Sequence, residues 1–273
     1  MNPTMVLILI MTSFGLAACS RPVEVNMLSG KAQGTTWHVS VWSKKPVNTV
    51  QLQADIETEF ARIDKVMSNY RPDSVIEQFN DNGTSDAIDI GKEIVSLVDV
   101  ARNISVASEG CYDLTVKPLF DLWGFNKDVF SAPSEKELEE TRQSVGLAYL
   151  SAPTASSLQK NNPGLRVDLS SIAQGYSVAR IVEIVEDAGI TDYLVEIGGE
   201  LQTRGHKPDG SFWRIAIEKP LPGGRDVNKI ITIEQDSPVA VMTSGTYRHY
   251  FDEQGTRYSH ILDARTGKPV NHA

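Results

Sequence analysis

The order in which helical and strand periodicities occur along the chain constrains its fold most strongly. In the first half, apolar residues recur every three or four positions, which predicts two amphipathic helices. Their buried faces carry Leu52, Ile56, Phe60, Ile63 and Met67 in one helix, and Ile94, Leu97, Val98, Ala101, Ile104 and Ser108 in the other. Gly110 is placed to end the second helix, and the capping-box pattern at 134–137 begins a third that runs to about residue 145.

Short strands dominate the second half. A strand is predicted at 165–169, and Ser170 or Ser171 then caps a helix with a buried stripe from Val178 to Ala188. Further strands are predicted at 36–42, 193–197, 212–217, 230–233, 239–242 and 258–262. Helices mainly in the first half and antiparallel strands mainly in the second indicate an α+β fold. The patterns GxGxxG and GxxxxGK[ST] do not occur, so the common nucleotide-binding loops are absent.

Composition excludes some classes of protein. The 273 residues are 41% hydrophobic and 22% charged, which is ordinary for a globular chain that forms a full core. One domain of about 240 residues or two smaller ones would fit this length. The formal net charge is −9 and no basic block occurs, which argues against nucleic acid as a partner.

The first residues have the features of an export signal. The apolar run at 5–18 is shorter than a membrane-spanning helix requires and ends in small residues. Residues 16–19, Leu-Ala-Ala-Cys, resemble a bacterial lipobox, so residues 1–18 are predicted to be a signal peptide and Cys19 to be lipidated. A plain signal peptide with an incidental cysteine is the alternative. Residues 19–29 are interpreted as a tether, and Ser20 favours the outer membrane over the inner one.

The two cysteines do not predict a disulfide. If Cys19 is acylated, Cys111 is the only remaining thiol, and an intramolecular disulfide cannot form. Stability is therefore expected to come from the packed core, even though the export signal indicates an oxidising compartment.

Four short motifs carry the strongest functional signal. They are VDLSSIAQGY (167–176), YLVEIGGE (193–200), TSGTYR (243–248) and SHILD (259–263), the last followed by TGKP (266–269). Each is a turn or strand end rich in Gly, Ser or Thr beside a charged or titratable residue. Such places let backbone N–H groups approach a phosphate closely.

In this order the motifs resemble the ApbE family, the FAD:protein FMN transferases, from about Gly30 to Ala273. The resemblance implies an ApbE-like, T-fold-related domain over residues 30–273. It also implies Mg²⁺-dependent transfer of FMN from FAD to a threonine hydroxyl of a target protein, with release of AMP. The implied acceptors are exported flavin-carrying subunits of membrane redox complexes, and a lipid anchor at the envelope would place the enzyme on the face where they lie.

The resemblance also implies roles for individual residues. His260 is the candidate that takes the proton from the attacking hydroxyl, and the turn at Ser171 is the candidate Mg²⁺ ligand. The residues implied to contact the flavin nucleotide are Gln33, Tyr70, Cys111, Tyr112, Asp113, Asp168, Gln174 and Leu262.

Four of these residues also have a structural interpretation from sequence alone. Asp168 can cap a helix, Asp113 can close a turn, Tyr70 can be a surface residue and His260 can be a packed histidine beside a strand. None of the five histidines has a metal-binding spacing. No base motif accompanies Cys111, so a nucleophilic role for that thiol is disfavoured.

Relatives in this family continue beyond the position of Ala273 to an Asp-Ala-x-x-Thr segment that completes the metal site. The resemblance therefore predicts that a chain ending at Ala273 binds Mg²⁺ weakly and transfers little FMN. Two alternatives remain open. One is an FAD-binding lipoprotein without transfer activity, and the other is Mg²⁺-dependent hydrolysis of FAD to FMN and AMP.

Overall fold

A computed structural model of the protein describes residues 24–126, 129–221, 226–247 and 249–270. The predicted signal peptide and the predicted lipidation site, Cys19, lie outside these residues. Within the described part of the chain, no helix combines the length and apolar character needed to cross a membrane.

The described residues form helices mainly before residue 190 and an unbroken series of short strands after it. The helices are α1 (Thr49–Met67), α2 (Val75–Asp81), α3 (Lys92–Ala107), α4 (Lys117–Trp123), α5 (Glu135–Arg142) and α6 (Ser170–Asp187), with a 3-10 turn at Leu147–Tyr149. The strands of the first half are β1 (Asn26–Ala32), β2 (Thr35–Trp42), β3 (Ile88–Asp89), β4 (Leu150–Thr154) and β5 (Ser157–Lys160). Those of the second half are β6 (Asp192–Ile197), β7 (Glu200–Arg204), β8 (Arg214–Glu218), β9 (Val227–Thr232), β10 (Val239–Val241), β11 (Tyr250–Glu253), β12 (Thr256–Ser259), β13 (Leu262–Asp263) and β14 (Lys268–Pro269).

The main sheet has five antiparallel strands in the order β1-β2-β6-β7-β10. Alternate residues of β2 are buried, as the period of a half-covered strand requires: Trp37, Val39 and Val41. Gly30 lies opposite Trp37 in the register, and a Cβ on Gly30 would lie 2.7 Å from the indole ring. Glycine therefore lets β1 pass over the buried tryptophan.

The first strand overlaps the last residues that were predicted to be a tether. Residues 26–29 already pair with β2, and Leu28 is buried. The domain therefore begins before residue 30, because an apolar side chain at position 28 covers the edge of the core.

Helices α1 and α6 cover the buried face of this sheet. Leu52, Ile56 and Phe60 from α1 join Val178, Ile181, Val182 and Val185 from α6 in one apolar cluster. The predicted stripe of α1 is confirmed. That of α6 is confirmed except at Ala188, which is exposed and follows the end of the helix. A second cluster lies beneath α2, α3 and the small sheet of β3, β5 and β4, where Ile94 and Val98 pack around Phe79 and Leu158.

A third cluster joins α4 and α5 to the last hairpins. Trp123 donates its indole N–H to the carbonyl of Gly267 at 2.8 Å and packs on Tyr258, with 5.2 Å between ring centroids. The predicted capping box at the start of α5 is confirmed by both of its hydrogen bonds, although the helix ends at Arg142.

Two strand predictions are wrong. Residues 165–169 form no strand; the structure gives only an isolated bridge between Val116 and Arg166. Apolar residues alternate in this segment because every second side chain is buried. The backbone groups that would bond to a neighbouring strand bond instead to the side-chain amides of Asn69 and Asn80. The predicted strand at 258–262 is broken into β12 and β13 at His260.

Candidate active site

The start of α6 is the centre of the candidate site, and Asp168 shapes it. Leu169 occupies the N-cap position and has no side-chain capping bond, so the predicted cap by Ser170 or Ser171 is wrong. Instead, the Asp168 carboxylate accepts from the backbone N–H of Ser170 at 2.8 Å and from its hydroxyl. The side chain of Asp168 is buried and turns the chain into the helix.

Tyr112 lies against the first turn of α6. Its hydroxyl is 3.1 Å from Oγ of Ser171, and either atom can be the donor. Burial raises the pKa of Tyr112, so the phenol is neutral at pH 7. The backbone of the same loop is fixed to the helix start, because the N–H of Asp168 donates to the carbonyl of Leu114 at 2.7 Å.

Asp113 has a turn role in this structure. One carboxylate oxygen accepts from the N–H and hydroxyl of Thr115 at 2.7 and 2.6 Å. The other oxygen accepts from the N–H of Leu147 at 2.9 Å. Both oxygens therefore hold the loop that presents Tyr112, which favours the structural interpretation of Asp113 over direct ligand contact.

Two strand turns meet the side of α6. Gln33, in the turn between β1 and β2, donates from Nε2 to the hydroxyl of Ser177 at 2.6 Å. Its backbone is left-handed, with φ of 52°, and its Oε1 is buried without a hydrogen-bond partner among the described residues. Gln174 lies beside the turn between β6 and β7. If Gly198 in that turn carried a Cβ atom, this atom would lie 3.0 Å from Nε2 of Gln174.

The loop after β10 closes another side of the site. The N–H of Thr243 donates to Oε2 of Glu200 at 3.0 Å. Burial raises the pKa of Glu200, with a smaller contribution from the nearby Glu196 carboxylate. Met242 is half exposed and lies next to Gly175 of α6. A Cβ atom built on Gly175 would lie 3.9 Å from Cε of Met242. The predicted phosphate-binding loop at 243–246 therefore begins beside α6.

Cys111 links this site to the last hairpin. Its carbonyl accepts from the N–H of Ala264 at 3.1 Å. Asp263 is paired with Arg265 at 2.6 Å, and this pairing lowers the pKa of Asp263, with a small further contribution from the Cys111 thiol. Cys111 therefore fixes the loop that carries Tyr112 against the hairpin of β13 and β14.

His260 lies between β12 and β13, directly before that hairpin, and has a defined orientation. Its Nδ1 is 2.8 Å from the carbonyl oxygen of His249, so Nδ1 carries the proton and Nε2 keeps its lone pair. The two imidazole centroids are 5.2 Å apart. Burial lowers the pKa of His260, so the ring is neutral at pH 7 and able to accept a proton.

The remaining predicted residues lie at the margins. Leu262 packs against the aromatic cluster around Trp123, and its backbone pairs with Pro269. Tyr70 is 68% exposed in the loop before α2, where its ring is accessible to a ligand or a partner protein. Its neighbour Asn69 binds the backbone of the segment leading into α6.

Two residues of this region were not predicted as site residues. Ser177 is fully buried and anchors Gln33; its signal is a polar residue inside the apolar stripe of α6. Glu200 had a signal in its position directly after the glycine pair, but its contact with Thr243 depends on the pairing of β7 with β10.

The oxygen donors at the start of α6 suit Mg²⁺ better than a softer metal. Among the described residues, no group of three or more His, Cys, Asp and Glu side chains is placed to hold a metal ion. Mg²⁺ is often held by one or two carboxylates together with substrate phosphates and water. Asp168 and the turn at Ser171 fit that arrangement when the substrate supplies the remaining oxygens.

Comparison with known proteins identifies a family. The model of the ApbE family matches residues 33–273. The FAD:protein FMN transferase of Vibrio cholerae serotype O1 is 37% identical over 260 residues, which cover 94% of this chain and 77% of that protein. The enzyme of the same name from Escherichia coli K12 is 33% identical, over 93% of this chain and 73% of that protein.

Solved structures agree with the sequence comparison. The flavin transferase ApbE from Vibrio cholerae superposes with a TM-score of 0.82 at 37% identity, over 92% of this chain and 79% of that one. The apo form of the Pseudomonas stutzeri flavinyl transferase ApbE gives a TM-score of 0.80 at 36% identity, over 92% and 77%. These matches confirm the predicted α+β fold.

Proposed function

This chain belongs to the ApbE family and is a flavin transferase, and we propose that it transfers FMN from FAD to a threonine hydroxyl of a target flavoprotein subunit, with release of AMP. The observation that carries this proposal is the meeting of Gln33, Tyr112 and Gln174 around the first turns of α6. Such a place offers a flavin nucleotide both polar side chains and a helix N-terminus.

Charge at the helix start supports a role for Mg²⁺. The N-terminal end of an 18-residue helix attracts phosphate. The buried Asp168 carboxylate beside it would repel a pyrophosphate unless a cation lies between them. Asp168 and the Ser171 turn would hold Mg²⁺, which would neutralise charge on the phosphates.

His260 is proposed as the general base. In the reaction, the threonine oxygen forms a new bond to the FMN phosphorus, and the pyrophosphate bond to AMP breaks. The hydroxyl proton passes to Nε2 of His260, and AMP leaves with the bonding electron pair. The hydrogen bond from Nδ1 to His249 fixes the ring and keeps Nε2 basic for this step.

The proposed partners are exported flavin-carrying subunits of membrane redox complexes. A lipid anchor at Cys19 would hold the enzyme on the membrane surface of the bacterial envelope, because acyl chains contribute about 0.8 kcal/mol per buried methylene. The outer membrane is favoured over the inner one by Ser20. Labelling of the full chain with a fatty acid analogue, compared with a Cys19→Ser variant, tests the anchor.

One assay separates the proposed reaction from its alternatives. The protein is incubated with FAD, Mg²⁺ and a flavin-acceptor domain, and intact mass and AMP are measured. Transfer predicts one FMN added to the acceptor and one AMP released, and none when the acceptor threonine is replaced by valine. AMP released without acceptor would instead establish FAD hydrolysis. Bound FAD with neither product would establish a flavin-binding protein and overturn the proposal.

A further inference from the structure

A buried polar cluster behind the candidate site holds the segment that leads into α6. It consists of Asn69, Glu77 and Asn80, which are 9%, 7% and 4% exposed, and is called the amide clamp below. Nδ2 of Asn69 and Nδ2 of Asn80 each donate to the carbonyl of Val167 at 2.8 Å. Each also donates its second hydrogen to Oε1 of Glu77, at 2.7 and 2.8 Å respectively.

The amide oxygens of the clamp also bind the backbone of this segment. Oδ1 of Asn80 accepts from the N–H of Val167, and Oδ1 of Asn69 accepts from the N–H of Leu169, both at 2.7 Å. Both hydrogens of each amide group are thus engaged, and each amide oxygen accepts a bond. Asp168 lies between Val167 and Leu169, so the clamp fixes the backbone on both sides of Asp168.

Glu77 is the shared acceptor of the clamp, and its charge is compensated. Arg166 lies 3.5 Å from one of its oxygens and Lys117 lies 3.9 Å from the other. A second buried lysine, Lys160, donates to the carbonyls of Phe79 and Asn80 at 3.1 and 2.9 Å and so fixes the end of α2. A buried carboxylate with two amide donors is costly to disturb, because removal of one partner leaves the others unsatisfied.

We propose that the amide clamp sets the conformation of residues 167–169 and, through it, the affinity of the site for FAD. Asn69, Glu77 and Asn80 are positioning residues that act through Asp168 and the start of α6. The proposal rests on the proposed function only in naming FAD as the ligand.

A swap of amide and carboxylate tests the clamp. Asn69→Asp keeps an acceptor for the N–H of Leu169, but it removes two donors and places a second carboxylate beside Glu77. Combining it with Glu77→Gln restores a donor between positions 69 and 77. We expect Asn69→Asp to weaken FAD binding at least about tenfold, and the double variant to recover most of that loss, as coupled residues do.

The control is Asn48→Ala, which removes the side-chain cap of α1 and does not touch the clamp. It should lower the melting temperature and leave the FAD dissociation constant within about twofold, since binding is measured well below the transition. Binding is followed by flavin fluorescence, with far-ultraviolet circular dichroism as the check on folding.

Amide hydrogen exchange tests, in the absence of FAD, whether the clamp holds the backbone of residues 167–169. In Asn69→Asp, the amides of Val167 and Leu169 should exchange faster while those of the central sheet keep their protection; the double variant should restore them. The proposed role of the clamp would be overturned if exchange at both amides were unchanged in Asn69→Asp. It would also be overturned if FAD affinity were lost in Asn69→Asp and not recovered in the double variant. A wild-type chain that binds no FAD would refute the proposed function, and the exchange result would still decide whether the clamp acts.

Discussion

His260→Asn should separate proton transfer from ligand binding. The amide nitrogen of asparagine can occupy the place of Nδ1 and keep the hydrogen bond to the carbonyl of His249. It has no counterpart of Nε2, so the orientation is retained while the base is lost. General-base catalysis contributes about 10²–10⁴-fold, equivalent to about 3–5 kcal/mol of activation free energy. We therefore expect kcat to fall by that factor and the FAD dissociation constant to stay within about threefold.

The pH dependence of the wild-type rate follows from the same geometry. Burial lowers the pKa of His260 below its ordinary value of 6.5, and the active form is the neutral ring. The rate should therefore be constant through neutral pH and fall only when the pH drops below 6.5 to the lowered pKa. In His260→Asn this acid limb should disappear, because no imidazole remains at that position to be protonated.

Single-turnover transfer of FMN to an acceptor domain, followed by intact mass from pH 5 to 8, measures both effects. His206→Asn is the matched control, because that histidine is paired with Asp236 at 2.9 Å and belongs to a different turn. The reasoning is refuted if His260→Asn keeps kcat within about threefold of wild type. It is also refuted if the wild-type rate increases as His260 becomes protonated.

Three further predictions concern stability and metal dependence. Gly124→Ala should lower the free energy of unfolding by more than about 2 kcal/mol in urea titrations, because φ is +80° and the new Cβ would lie 1.9 Å from the carbonyl oxygen of Val129. Arg62 lowers the pKa of Glu59 to about 2 from 4.5, so the stabilisation by this pair is full above pH 4.5 and is lost as pH falls towards 2. The stability difference between wild type and Glu59→Gln should accordingly shrink below pH 4.5, and an unchanged difference would contradict this assignment. Chelation with EDTA should abolish FMN transfer while circular dichroism stays the same, and Mg²⁺ should restore it; transfer that persists in EDTA would exclude the proposed metal.

The periodicity of apolar residues was sufficient to predict the helices and strands that bury one continuous face. The stripe of α1, most of the stripes of α3 and α6, and the alternation of β2 were predicted because each depends on residues close together in sequence. Ile104 of α3 and Ala188 after α6 were predicted to be buried and are exposed. The helix α2 was missed, because only seven residues form it and their pattern is too short to distinguish from a loop. Pairings such as β2 with β6 join residues 150 to 160 positions apart, from Trp42 with Asp192 to Trp37 with Ile197, and have no local signature.

The segment at 165–169 shows the limit of periodicity most clearly. Leu165, Val167 and Leu169 are all buried, as an alternating strand would have them. Burial fixes which side chains face the core but not which groups satisfy the backbone, and here Asn69 and Asn80, 87 to 100 residues earlier in the chain, supply those hydrogen bonds. A strand in this place would have committed the backbone beside Asp168 to a neighbour in a sheet. Side-chain amides instead allow the chain to turn directly into α6, so the departure from the predicted strand is the feature that brings Asp168 to the start of the helix.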